Sequence, residues 1–373
     1  MNEQRPVLIM AGGTGGHVFP ALAVAECLRQ RGIPVSWMGT RRGLEATLVP
    51  GAGIPMEWIG VAGLRGKGLR QRLLTPFMLA QALWQARGIL RRLQPPVVLG
   101  MGGFVSGPGG LMARLLGIPL VVHEQNAIAG LTNRWLARLA NRVLEAFPKT
   151  FPAKRAAVAV GNPVRASIAA LPPPSERFKT HDGRPRLLVV GGSQGALALN
   201  RLVPQALGLL AENERPEVWH QAGGQLHEAA VTAYRDAGVT ARVTPFIQDM
   251  AEAYGWADLA LCRAGALTVA ELAAAGVGAV LVPFPFAVDD HQTANGRFLA
   301  QGEAALVVPQ AELDAERLAT ILRQLLGDRP RLLRMAEAAR RLAKIDAAEQ
   351  VAITCLEQAR AGGRRLANDT QGR

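Results

Sequence analysis

"PVLIMAGGTGGHVFPALAV" (residues 6–24) and "RLLVVGGSQGALALNRL" (residues 186–202) share one grammar: an apolar run, a cluster of glycines, then a helical pattern. A strand that turns through glycines directly into a helix begins a parallel α/β unit, and its return predicts a second domain of the same kind. Working outward, strand candidates fall at 6–11, 34–38, 97–100, 119–123 and 142–146, then at 186–190, 217–220, 241–244, 258–262 and 279–283. Helical patterns such as 18–31, 197–211 and 266–275 lie between them. The alternation predicts an α/β protein of two Rossmann-like domains whose parallel sheets face each other across a cleft. "LPPPSERFKTHDGRPR" (171–186), rich in proline and charge, reads as the linker or boundary.

The composition bounds the function. At 373 residues the chain has room for about two domains of ~150 residues each. No apolar stretch reaches the ~20 residues of a spanning helix, and the opening "MNEQRPVLIMAGG" does not read as a signal peptide. Cys27, Cys262 and Cys355 are widely spaced and odd in number, which points to a reducing compartment. The charge is lopsided. The first 165 residues hold 20 of the 42 Lys and Arg but only 6 of the 29 Asp and Glu, so all of the formal +13 resides there. A polyanionic partner or an anionic membrane surface on that half is the physical implication.

Glycine turns at strand ends let backbone N–H groups close on a phosphate, and the following helix adds the positive end of its dipole. Three turns have this character: Gly12–Gly16, "GMGGFVSGPGG" (100–110) and Gly191–Gly195. None fits the dinucleotide pattern G-x-G-x-x-G, no acidic residue follows the second strand, and the P-loop pattern is absent. Arg41 and Arg42 keep an NADP reading open. No Asp-x-Asp and no His/Cys cluster offers a divalent metal a site, so neither metal nor cofactor is expected. In "CRAGALTVAEL" (262–272) a further helix begins near Ala266 and could hold a diphosphate at its N-terminus. Glu271 lies within that helix, and "PFPFAVDDHQTAN" (283–295) adds a polar loop.

In these segments, and in GGTGGHVFPALAVA, GLRGKG, HEQNAIAGLTN, GNPVR and GGSQGA, the chain resembles the bacterial family of UDP-N-acetylglucosamine–N-acetylmuramyl-(pentapeptide) pyrophosphoryl-undecaprenol N-acetylglucosamine transferases, the MurG family. The resemblance implies the GT-B architecture, with residues 1–165 and about 345–373 as an acceptor and membrane-side domain and 166–344 as the UDP-sugar domain. The amphipathic segment 331–360 is the candidate for the return to the first domain. It further implies inverting transfer of N-acetylglucosamine from UDP to the 4-hydroxyl of the N-acetylmuramyl sugar of lipid I, giving lipid II, without a metal.

Residue by residue, the resemblance gives Ile247 to uracil and Glu271 to the ribose. Ser193, Arg165 and the turn at Ala266, Leu267 and Thr268 go to the diphosphate, with Val269 and Ala270 also among the residues that bind UDP-N-acetylglucosamine. Gln292, Asn126, Thr14, Gly15 and Gly16 are placed near the transferred sugar. His17 is the first candidate for the base on the acceptor hydroxyl, with Glu124 its competitor. Gly102, Gly103 and Ser106 are assigned to the acceptor's diphosphate.

The segment 64–93 carries seven Lys and Arg and no acid, with Leu73, Leu74, Phe77, Leu79 and Trp84 among them. That is the pattern of a helix lying on an anionic bilayer. With an undecaprenyl-linked acceptor it implies peripheral attachment to the cytoplasmic face of the cell membrane, in the company of cell-wall synthesis and division proteins. Nucleic acid is not an expected partner, because only 5% of residues are aromatic. A UDP-N-acetylglucosamine 2-epimerase of the same architecture remains the nearest rival.

Overall fold

The computed structural model describes residues 5–60, 69–181, 183–192 and 195–371, without the side chains of 69–75 and 363–371. The chain forms two compact units, one of residues up to Arg165 together with those from Ile345 onward, the other Ala166–Lys344. In the first unit seven strands form one parallel sheet: β1 (Val7–Met10), β2 (Val35–Gly39), β3 (Met56–Trp58), β4 (Val98–Gly100), β5 (Leu120–Glu124), β6 (Arg142–Glu145) and β7 (Val158–Ala159). Their order is β3-β2-β1-β4-β5-β6-β7. The second unit holds β8 (Arg186–Val190), β9 (Glu217–Gln221), β10 (Arg242–Thr244), β11 (Leu259–Cys262), β12 (Gly278–Leu281) and β13 (Ala305–Val307), in the order β10-β9-β8-β11-β12-β13.

Both sheets are covered by helices, which is why their central strands read as unbroken apolar runs. All four residues of β1 are fully buried. The helix Gly15–Gln30 that follows turns Val18, Ala21, Val24, Ala25 and Leu28 inward, one stripe at helical spacing. Strand β1 pairs with β2 at Val7–Val35 and with β4 at Leu8–Val98, so the first glycine turn leaves the sheet at its centre. In the same way β8 pairs with β9 and β11.

Two sequence expectations are corrected. The segment 331–360 is not one returning helix. Helix Arg329–Leu342 packs against β12 within the second unit, and a break at 343–346 precedes helix Ala347–Gln371. Only the latter belongs to the first unit, where Ala347, Val351, Ala352 and Cys355 are fully buried. The proline-rich stretch at 171–186 is not a free linker either. It forms helix Pro174–Arg177, and the Arg177 guanidinium donates to the carbonyls of Tyr254 (2.8 Å), Ala275 (2.7 Å) and Gly276 (2.5 Å). Those last two carbonyls end helix Ala266–Ala275, where a cation meets the negative end of the dipole. Burial lowers the pKa of Arg177 to about 10, with Arg340 nearby adding to the effect. The proline-rich stretch therefore anchors the second unit internally.

Candidate active site

In each sheet the strand order reverses once, between β1 and β4 in the first unit and between β8 and β11 in the second. Ligands of open α/β sheets bind outside the carboxyl ends of the strands at such reversals. Most of the expected site residues lie at these two places.

In the first unit the loops after β1 and β4 touch. A Cβ on Gly103 (φ +80°) would sit 2.4 Å from the carbonyl oxygen of Gly12, and one on Gly102 (φ +100°) would sit 2.8 Å from Cε1 of His17. The His17 ring thus lies on bare backbone. Beneath the turn is a carboxylate that the sequence reading missed. Glu45 is fully buried. Its Oε2 accepts Gly13 N–H (2.9 Å), while its Oε1 accepts Thr40 N–H (3.1 Å) and the Thr40 hydroxyl (2.8 Å). A Cβ at Gly12 or Gly43 would strike this side chain, at 2.6 and 1.9 Å. Within this turn, Gly13 N–H is committed to Glu45 and is not open to an external anion.

The loop after β5 supplies the polar groups. His17 Nδ1 lies 2.8 Å from Gln125 Oε1, Gln125 Nε2 lies 3.0 Å from His123 Nδ1, and His123 Nε2 lies 2.9 Å from the Gly161 carbonyl. Complete burial lowers the pKa of His123 to about 4, against the smaller opposing effects of Gly161 and Glu124. Asn162 Nδ2 donates to the Gln125 carbonyl (2.9 Å) and fixes the loop from the other side. His123 and Gln125 fall at or within the quoted HEQN segment, yet only their neighbours were singled out from sequence.

Two expected first-unit side chains are engaged by their own surroundings. Glu124 is 1% exposed. Its Oε1 accepts from Asn126 N–H (3.0 Å) and Nδ2 (3.1 Å), and its Oε2 from Gly130 N–H (3.0 Å) and Asn133 Nδ2 (2.9 Å). With four donors on a carboxylate's four acceptor positions, it organises the loop and has nothing to offer an incoming hydroxyl. Ser106 is fully buried, its Oγ bonded to Gly102 N–H (3.1 Å) and to the carbonyls of Met10 (3.0 Å) and Gly102 (2.8 Å). It shapes the β4 loop. Thr14 precedes the helix in extended conformation without capping it, followed by Gly15 and Gly16. Arg165 packs its guanidinium 5.4 Å from the Phe19 ring.

At the second reversal, Gly192 and Gly195 take φ of +92° and +77°. A Cβ at Gly195 would lie 1.9 Å from the Ala222 carbonyl oxygen. Ser193 lies outside the described residues. Neutral amides hold this site: Gln221 Nε2 donates to the Gly192 carbonyl (2.9 Å), Gln221 Oε1 accepts Ile247 N–H (2.9 Å), and Asn200 Nδ2 donates to Ala222 (2.9 Å). Gln221, also missed from sequence, joins the β8 turn to the loop bearing Ile247. Helix Ala266–Ala275 follows extended Gly265, with no side-chain cap and no acid in its first turn. This N-terminus carries Ala266, Leu267, Thr268, Val269 and Ala270 and suits an anion. Glu271 is buried and accepts from the Tyr254 hydroxyl (3.2 Å), and Gln292 Oε1 accepts Phe284 N–H (2.9 Å). Arg263 donates to the Val282 carbonyl (3.1 Å) and to Gln310 (2.7 Å), latching the ends of β11 and β12.

Away from the reversals, helix Leu69–Leu93 exposes Phe77 (72%), Leu79 and Trp84 (74%). The side chains of Leu73 and Leu74, and the GLRGKG segment, lie outside the described residues. Leu115, Leu131 and Trp135, on or beside the neighbouring helices Ser106–Leu115 and Leu131–Leu136, are also exposed, and Arg138 stacks 4.3 Å over Trp135. Sequence reading did not single these out. Among the described residues no helix is long and apolar enough to cross a membrane, and no three His, Cys, Asp or Glu side chains gather as a metal site.

Comparison with known proteins bears on this geometry. Residues 7–145 match the glycosyltransferase family 28 N-terminal domain, and residues 186–351 match the C-terminal domain of that family. The chain is 61% identical over 353 residues to the UDP-N-acetylglucosamine–N-acetylmuramyl-(pentapeptide) pyrophosphoryl-undecaprenol N-acetylglucosamine transferase of Nitrosococcus oceani, covering 95% of this chain and 98% of that one. The protein of the same description from Alkalilimnicola ehrlichii is 60% identical over 355 residues, covering 95% and 99%. The crystal structure of Acinetobacter baumannii MurG matches with a TM-score of 0.81 at 44% identity, covering 95% and 99%. Os79 from O. sativa, 15% identical with a TM-score of 0.70 and covering 95% and 100%, shares the fold.

Proposed function

This chain belongs to glycosyltransferase family 28 and, within it, to the MurG family of bacterial N-acetylglucosamine transferases, and we propose on that footing that it transfers N-acetylglucosamine from UDP-N-acetylglucosamine to undecaprenyl-linked lipid I, forming lipid II. The observation that carries this reading is the identity to the Nitrosococcus oceani transferase over nearly the full length of both chains.

The chemistry assigned is a single displacement with inversion. The 4-hydroxyl oxygen of the N-acetylmuramyl sugar bonds to C1 of N-acetylglucosamine. The bond from C1 to the β-phosphate oxygen breaks, and its electron pair leaves with UDP. His17 takes the hydroxyl proton; Glu124 is set aside because its oxygens are already occupied. UDP is assigned to the second unit: Ile247 to uracil, Glu271 anchored by Tyr254 to the ribose, and the N-terminus of helix Ala266–Ala275 with Ser193 to the diphosphate. Arg165 adds positive charge to the leaving group, so that a helix dipole and a guanidinium serve where other enzymes use a metal. Asn126, Gln292, Thr14, Gly15 and Gly16 go to the transferred sugar, and Gly102 and Gly103 to the acceptor's diphosphate.

The lipid substrate calls for a membrane-facing surface. Phe77, Leu79 and Trp84, exposed on a helix that also carries Arg87, Arg91 and Arg92, support peripheral attachment to the anionic cytoplasmic face. Other proteins of cell-wall synthesis and division are its expected company there. The test uses purified protein, radiolabelled UDP-N-acetylglucosamine and a lipid I analogue in EDTA. Acceptor-dependent label in the organic-extractable product is the expected result. Free sugar or an epimer accumulating from the donor, without transfer, would sink the reading in favour of the epimerase.

A further inference from the structure

We propose that Gln125, oriented by His123, is a positioning residue that fixes the proton of neutral His17 on Nδ1 and leaves a lone pair on Nε2. The inference follows from which atoms can donate. The Gly161 carbonyl only accepts, so His123 Nε2, 2.9 Å away, carries a proton. Burial keeps the His123 ring neutral, so its Nδ1 is bare and only accepts. The Gln125 atom 3.0 Å from that nitrogen is therefore the amide nitrogen, which also lies 3.2 Å from the His123 carbonyl oxygen. The flip of this amide is settled by its surroundings and not by convention. Its oxygen then faces His17 Nδ1 at 2.8 Å, and because an amide oxygen only accepts, His17 Nδ1 must donate.

His123 and Gln125 are at most 1% exposed, so bulk water does not substitute for either partner. Among the described residues, three charged groups of this unit are engaged elsewhere. Glu124 on β5 is bonded to Asn126, Gly130 and Asn133, Glu45 to Gly13 and Thr40, and Arg165 stacks on Phe19. The relay therefore sets a tautomer and supplies no charge, unlike a carboxylate partner, which would also favour the protonated ring. In the neutral ring, Nε2 is then the nitrogen that can accept a proton from a hydroxyl.

This inference rests on the reading of His17 as the base, and the experiment separates the two. Long-range 15N–1H correlation spectra of the full chain, labelled at histidine nitrogens, read each ring tautomer directly. The expected wild-type result is an Nδ1–H proton with unprotonated Nε2 on His17, and the opposite arrangement on His123. In Gln125→Met, near in size but without the bonds, His17 should lose that fixed tautomer. Its kcat should fall on the order of a hundredfold, the scale on which a misoriented base fails, with KM for UDP-N-acetylglucosamine nearly unchanged. A wild-type His17 protonated on Nε2 overturns the relay, and needs no variant to fold. A Gln125→Met enzyme with unaltered kcat overturns the positioning role. Full transfer by His17→Gln overturns the base assignment itself, leaving the measured tautomer in place.

Discussion

The two strand-order reversals are topological equivalents, and they differ in what lies beneath the glycines. Under the turn after β1 the chain places its own carboxylate, Glu45, on Gly13 N–H, and lays His17 over Gly102. Around the turn after β8 the side chains seen among the described residues are neutral amides, Gln221 and Asn200, and the first turn of helix Ala266–Ala275 has no acid. A phosphate at Gly13 would meet a buried carboxylate, whereas the groups named around the second turn are uncharged. On the proposed function, similar glycine motifs serve different ends: one seats the base, and near the other a helix dipole is left for the diphosphate.

The largest effect expected from this contrast is loss of chemistry without loss of nucleotide binding. His17→Gln should lower kcat by about 10²–10⁴-fold, the usual worth of a general base, while Kd for UDP stays within about twofold. Radiolabel transfer and UDP titration measure the two quantities separately. If Kd rose as kcat fell, the assignment of different tasks to the two units would fail.

A second contrast concerns acid. His220 in the second unit is buried against the Tyr234 hydroxyl (2.9 Å), and burial lowers its pKa from 6.5 to about 3. Between those values the unfolded chain binds a proton that the native ring refuses, so the stabilisation is complete above pH 6.5 and lost as pH falls. At pH 4.5 the loss is roughly 2–3 kcal/mol by linkage. His123 in the first unit, lowered to about 4, follows the same sign over a narrower window. Urea unfolding at pH 7 and 4.5 should show a smaller acid loss in His220→Phe than in the wild type; equal losses would remove His220 from the account.

The smallest effect belongs to the amide brace. Gln221→Leu removes the bonds to Gly192 and Ile247 and should raise KM for UDP-N-acetylglucosamine about tenfold, the worth of one or two net hydrogen bonds, with kcat little changed. A kcat defect at constant KM would place Gln221 with the chemistry instead.

What could be read without coordinates divides along the same physical lines. Strands β1 and β8 and the helix Ala266–Ala275 were legible because burial on both faces writes continuous apolar runs, and glycines mark where they stop. Strands β3, β7 and β13 escaped notice. They are two or three residues long, at or near sheet edges, and carry half-buried or exposed positions, so their pattern is weak. The turn glycines could be named from the sequence, but not what fills them. Glu45 and Gln221 lie outside any motif, and the glycines they brace, Gly13 and Gly192, are tens of residues away. Ser106 and Glu124 stood in recognisable segments, yet only their hydrogen bonds show that both are spent on their own loops.

The most direct test of the division between the two reversals is amide hydrogen exchange of the full-length protein with and without UDP. The account predicts that UDP slows exchange at Ala266–Ala270 and around Ile247, and leaves Gly12–Gly16 unchanged. Protection centred on Gly12–Gly16, with none at the start of helix Ala266–Ala275, would contradict it.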